Sequence, residues 1–295
     1  MAEPTELDRI VAALSDQKPA ALAAILAESG RAFTIHAARR QAQRLHAGQP
    51  DALFALGRDL AARPEPPARG LAALLLAEQY VGHEETVTEA LLRLADDADW
   101  VTREYAAEAL GHVLAAHFDA VYPRLAAWTH HPSANVRRAV AVATMTAARS
   151  GDDERAGRLL DLLEPLLTDR APYVRKNLGP FAIGSAFLVH HPDVTFAALA
   201  RWRERYDDAQ VRWNLAMACS AAGAARWPER SLAFLHTLAD DSRPFVWRAV
   251  ASALIALGRR QPAVALPEIC RWLADPTRRH VAERALAAIP APIAP

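Results

Sequence analysis

The sequence predicts an all-α fold, a right-handed α-solenoid of about seven stacked helical hairpins with a concave groove. Three observations predict it. Over 295 residues the chain is 52% hydrophobic, rich in alanine and leucine and poor in glycine, and no stretch alternates β-branched and polar residues as strands do. A valine followed by an alanine-rich helical stretch recurs at Val101, Val136, Val174, Val211, Val246 and Val281, at spacings of 35, 38, 37, 35 and 35. Each of these valines follows an acidic or proline-bearing turn, as in DDADWV, HPSANV and DDSRPFV, which separates the two helices of one unit.

Within each repeat the residues four and eight positions after the valine are again mostly apolar. Tyr105 and Ala109, Leu178 and Ala182, Leu215 and Cys219, and Val250 and Leu254 follow this rule and form one buried stripe. A lone hairpin cannot bury such a stripe. Stacked copies share one core, so residues 1–295 read as a single domain of HEAT-like repeats. The repeats are clearest over 86–288. Residues 1–85 hold weaker copies, one near Ala68 and one around Phe33, and the proline-rich stretch 289–295 is expected to fray. Trp128, Trp202 and Trp272 fall eight or nine residues before a repeat valine, which assigns them to packing. Trp100, Trp213, Trp227 and Trp247 are not equivalent to one another and are better candidates for function.

Basic and acidic residues number 34 each and the pI is near 7.2, so neither a nucleic-acid nor a membrane partner is implied by charge. The longest aliphatic run, Leu71 to Ala77, is far short of the ~20 residues that span a bilayer. Met1 to Asp8 carries three acidic residues, the wrong sign for a targeting segment, and a cytoplasmic location is expected. Cys219 and Cys270 have no C-x-x-C spacing and read as small core residues. No phosphate-binding glycine loop, serine-hydrolase elbow or H-E-x-x-H string is present. His130 to Pro132 and His190 to Pro192 look like a pair but stand at different repeat positions, so neither a metal nor a cofactor is expected. The chain is expected to be a monomer.

Counting each repeat valine as zero, positions −1, +3 and +6 or +7 share a face turned away from the buried stripe. That face carries Trp100, Glu104 and Ala107 in one repeat, Tyr173, Asn177 and Pro180 with Phe181 in another, and Gln210, Asn214 and Met217 in the next, beside Trp213. An indole beside a carboxylate is a receptor for positive charge, because the ring quadrupole and the anion both favour a cation. The competing reading is a solvated Glu104 and a turn-capping Trp100. Arg103, Arg137, Arg138, Arg175, Lys176, Arg212 and Arg248 form a basic edge that either follows a phosphate backbone or pairs with turn aspartates such as Asp99 and Asp207. Pro180 inside VRKNLGPFAIG breaks a regular helix, either shaping a groove or shortening the helix so that neighbouring repeats pack closely.

The strings WVTREYAAEALG, NVRRAVAVA and YVRKNLG, over something more than a third of the chain, resemble the HEAT-like DNA alkylation repair glycosylases of the AlkD-like group. That resemblance implies hydrolysis of the N-glycosidic bond of a cationic alkylated nucleotide in duplex DNA, without flipping the base. Trp100 matches the family's groove tryptophan, and Glu104 stands where the family has an aspartate. Arg137 or Arg138 matches a phosphate-contacting arginine, and Lys176 joins them as a phosphate ligand. Tyr173, Asn177, Phe181, Trp213 and Asn214 are the expected remaining substrate contacts. The family's second groove tryptophan is replaced by Pro180 here, leaving Phe181, Tyr173 or Trp213 to supply that wall. Two other readings of the same groove stand beside this one: a scaffold that binds a protein or peptide without catalysis, and a site for a small cationic or electrophilic metabolite.

Overall fold

The computed structural model describes residues 4–29 and 32–289, so most of the proline-rich tail lies outside the described residues. Every regular element among the described residues is helical, as the repeat requires. No described helix is long and apolar enough to cross a membrane. The chain gathers into two compact units, residues 1–124 with 131–143, and residues 125–130 with 144–295.

The first unit contains α1 (Glu6–Ser15), α2 (Pro19–Ser29), α3 (Ala32–Leu45), α4 (Pro50–Ala61), α5 (Pro66–Glu78), α6 (Glu84–Ala95) and α7 (Trp100–Ala116). Helices α8 (Phe118–Trp128) and α9 (Ala134–Ala147) have residues in both units. Within the first unit α1, α3, α5 and α7 pack in succession, while α2, α4 and α6 back them as a second layer. The stretches near Phe33 and Ala68 fall on α3 and α5 of this row. The signal near Ala68 is faint because α5 is buried at Ala68 and from Gly70 through Leu76, which hides the amphipathic period.

The second unit contains α10 (Asp153–Leu163), α11 (Pro172–Arg175), a π-helical segment (Leu178–Phe187), α12 (Leu188–His190), α13 (Pro192–Arg205), α14 (Ala209–Ala218), α15 (Pro228–His236), α16 (Pro244–Arg260), α17 (Pro262–Trp272) and α18 (Arg279–Ala288). The π-helical segment, α14, α16 and α18 form one row. Helices α10, α13, α15 and α17 form the other. Prolines start α2, α4, α5, α11, α13, α15, α16 and α17, where a missing N–H costs nothing and a fixed φ favours the first turn.

Val136, Val174, Val211, Val246 and Val281 are completely buried, and so are their partners Leu178, Leu215, Val250 and Leu254. Burying each such side chain contributes roughly 1.5–3 kcal/mol. Trp128, Trp202 and Trp272 are buried at the ends of their helices, in the packing role their equivalence suggested. Cys219 is buried and desolvation pushes its thiol up to about 12, so it is a small inert core residue. Cys270, expected in the core, is exposed instead: it lies one residue after Ile269, which takes the inward face of α17.

The segment around Pro180 shows how its glycines are used. Two residues after Pro180, which has no N–H to give, the Ala182 amide donates to the Asn177 carbonyl at 3.0 Å, a bond spanning five residues rather than four. Gly179 and Gly184, also five apart, then share one face. A Cβ on Gly179 would lie 2.6 Å from the Asn214 carbonyl oxygen, and one on Gly184 would lie 2.5 Å from that of Ala218. Close backbone packing of the widened turn against α14 is the observed result.

Candidate functional site

The Asp99 carboxylate accepts from the Val101 amide at 2.8 Å and caps α7, which sets Trp100 at the first helical position. Thr102, Tyr105, Ala106 and Ala109 turn inward on α7, with Tyr105 lying over Gly70, where a Cβ would come within 2.8 Å of the ring. The opposite face is thereby left accessible. Trp100 is 66% exposed, and the side chain of Glu104, one turn on, is 49% exposed. Position +6 departs from expectation, since Ala107 is fully buried and Glu108 takes the accessible place.

Glu104 is not a freely solvated acid. Its Oε2 accepts from Arg138 Nη2 at 2.5 Å, and Arg138 is nearly buried, with a side chain 9% exposed. A buried guanidinium needs a nearby anion, so this pair holds the carboxylate in one place. Among the described residues Glu104 Oε1 has no hydrogen-bond partner in the protein.

The basic edge is largely structural. Arg137 Nη1 donates to the carbonyls of His131 and Pro132 at 2.7 and 2.9 Å, and Arg69, Arg103 and Arg175 make the same pair of bonds to residues six and five positions earlier. In these four helices the arginine thus ties the helix to the turn before it, through backbone carbonyls more than through aspartates. Arg212 follows the aspartate pattern instead, pairing with Asp207 and Asp241. Arg137 and Arg138 are both engaged inside the first unit, whereas Lys176 is exposed in the second.

A cluster missed in the sequence also lies in the first unit. Glu108 faces His36 at 3.8 Å and His112 at 3.4 Å, and the His36 ring meets Tyr105 edge-on at 5.5 Å. A hydrogen bond from His112, with the charges of His36, His112 and Arg39, holds the Glu108 carboxyl below the usual range, against the opposing effect of burial. The i,i+4 spacing of Glu108 and His112 is legible, but His36 lies in the weakest copy of the repeat.

In the second unit Tyr173 lies in the first turn of α11 with Lys176 Nζ 5.0 Å above its ring. Asn177 Nδ2 donates to the Tyr173 carbonyl at 2.7 Å, and Phe181 is exposed on the π-helical segment. Trp213 stacks on Phe245 with centroids 5.8 Å apart and planes inclined by 13°. Asn214, expected on the accessible face with Glu104 and Asn177, is completely buried, because the glycine face of the π-helical segment presses against α14 at that point. It presents nothing to a ligand. Trp227 Nε1 donates to the Leu188 carbonyl and serves the fold.

The two His-His-Pro strings do separate work: His131 Nδ1 accepts from the Ser133 amide, and His191 meets Asp153 and the Ala148 carbonyl. Among the described residues no three His, Cys, Asp or Glu side chains gather as a metal ion would need.

No curated protein matches the chain. Solved structures similar to it include YibA of E. coli, 17% identical over 97% of this chain and 98% of that one, with a TM-score of 0.42. AlkD2 from Streptococcus mutans is 14% identical over 94% of this chain and 100% of that one, at 0.37. Importin beta is 14% identical over 96% of this chain but 41% of that one, at 0.48. A family model described as DNA alkylation repair enzyme matches residues 15–183, a span that contains Trp100, Glu104, Arg137 and Arg138. The chain therefore belongs to the DNA alkylation repair enzyme family.

Proposed function

We propose that the protein binds duplex DNA carrying an N-alkylated purine and hydrolyses its N-glycosidic bond at Trp100 and Glu104. An alkylated purine is already cationic, so it departs with the electrons of the C1′–N bond and leaves as a neutral base. The positive charge passes to the sugar as an oxocarbenium ion. Glu104 stabilises that charge, and its open Oε1 accepts a hydrogen bond from the water that adds to C1′ and then takes up the proton the water loses. Trp100 packs its exposed face on the deoxyribose and excludes bulk water. Arg138 acts as a positioning residue, fixing the other carboxylate oxygen.

The observation that carries this reading is the accessible indole and carboxylate one turn apart on α7, inside the span matched by the family. Release of 7-methylguanine or 3-methyladenine from methylated duplex tests the reading. Glu104→Gln is expected to slow release on the order of 100-fold while preserving the fold. Release undiminished in that variant removes Glu104 from the chemistry, and no release by the wild type refutes the reaction itself.

A further inference from the structure

We propose that Trp213 and Phe245, flanked by Lys176 and Arg248, form a platform in the second unit that stacks an unpaired base of single-stranded DNA. Trp213, Phe245 and Arg248 all lie beyond residue 183, outside the matched family span, and the inference does not depend on the chemistry assigned to Glu104.

The aromatic geometry is the first support. Phe245 is the second residue of α16 and 48% exposed, so one face of the near-parallel pair remains open. Two open clefts adjoin the pair, one also lined by Pro172, Gln210 and Lys176 and the other by Met217, Arg248 and Ser252. Gln210 offers an amide to a base edge. Both clefts are open, and a flat ring is a shape that such a surface fits.

Charge is the second support. The nearby acids are already neutralised: Asp207 and Asp241 are both held by Arg212 and Arg243. Among the described residues Lys176 and Arg248 have no ion pair, and each lies over an aromatic ring, Tyr173 at 5.0 Å and Trp247 at 5.3 Å. An aromatic surface between two unpaired cations repels basic peptides and selects a ligand that is planar and anionic. A nucleotide is both. The base has to be unpaired, because in a duplex its faces are occupied by its neighbours.

The full-length protein is titrated against a fluorescently labelled oligothymidylate of about ten nucleotides and against an abasic strand with the same phosphates. The wild type is expected to prefer the base-bearing strand by roughly tenfold or more. Trp213→Ala and, separately, Phe245→Ala are expected to abolish that preference, and Trp213→Phe to retain most of it. Lys176→Gln with Arg248→Gln is expected to weaken both strands alike and to flatten the salt dependence. Equal affinity of the wild type for the two strands, or binding to neither, overturns the platform. So does a preference that survives Phe245→Ala, whose half-exposed ring is removable without disturbing the core. Base release by the wild type and its loss in Glu104→Gln are read separately, so failure of either idea leaves the other measurable.

Discussion

Asp241 offers a quantitative test of how the second unit is held together. Its side chain is 3% exposed. Arg243 donates to it from the backbone amide, Nε and Nη2 at 3.0, 2.8 and 2.5 Å, and Arg212 Nη1 donates at 2.8 Å. Burial raises the carboxyl, but these bonds outweigh it and hold the group at about 2 instead of 3.8. A depression of that size corresponds to about 2 kcal/mol of stability. Because the folded state binds the proton less readily than the unfolded chain, this contribution is complete above the ordinary carboxylate range. It is lost as pH falls from about 4 through about 2. Asp241→Asn keeps the shape and removes the charge. Urea denaturation followed by circular dichroism should show the variant less stable by about 2 kcal/mol at pH 6. The gap should close progressively on acidification, since the wild-type carboxyl becomes neutral as well. A gap that stays constant or widens towards pH 2 would falsify the assignment of that stability to the ionised carboxylate.

Two further substitutions probe the packing of the π-helical segment on α14. Gly184→Ala would set a Cβ 2.5 Å from both the Ala218 carbonyl oxygen and the Ala221 Cβ, neither of which is the end of a flexible side chain, so a loss of about 2–3 kcal/mol is expected in the same denaturation assay. Wild-type stability in that variant would show that the two backbones do not approach so closely. Asn214→Leu replaces a fully buried amide whose Oδ1 and Nδ2 lack hydrogen-bond partners, so the substitution should be neutral or stabilising by up to about 2 kcal/mol. A loss above about 1 kcal/mol would reveal a polar partner for that side chain.

Much of the architecture was legible because helical periodicity is a local property. A valine every thirty-five to thirty-eight residues, with apolar positions one and two turns later, specifies which face of each row helix is buried without reference to any other repeat. The indole and acid of α7 were legible for the same reason, since Trp100 and Glu104 are four residues apart on one helix whose inward face is marked by Tyr105 and Ala109. Proline and aspartate in the turns likewise announce helix starts through their own backbone chemistry.

Partners across helices were not legible, because they depend on how closely two backbones approach and at what register. Arg138 is adjacent in sequence to Arg137, yet one ends on the Glu104 carboxylate and the other on the carbonyls of its own turn. Glu104 and Asn214 hold the same repeat position, yet the first is half exposed and the second buried, because only α14 meets a glycine-faced π-helical segment. His36 reaches Glu108, and Phe245 reaches Trp213, through contacts no spacing rule encodes. Sequence alone determined the helical repeat and the inward face of each helix, since these follow from residues within a turn or two of one another. Only the tertiary structure decided which side chains meet, since each meeting is set by the distance and angle between separately formed helices.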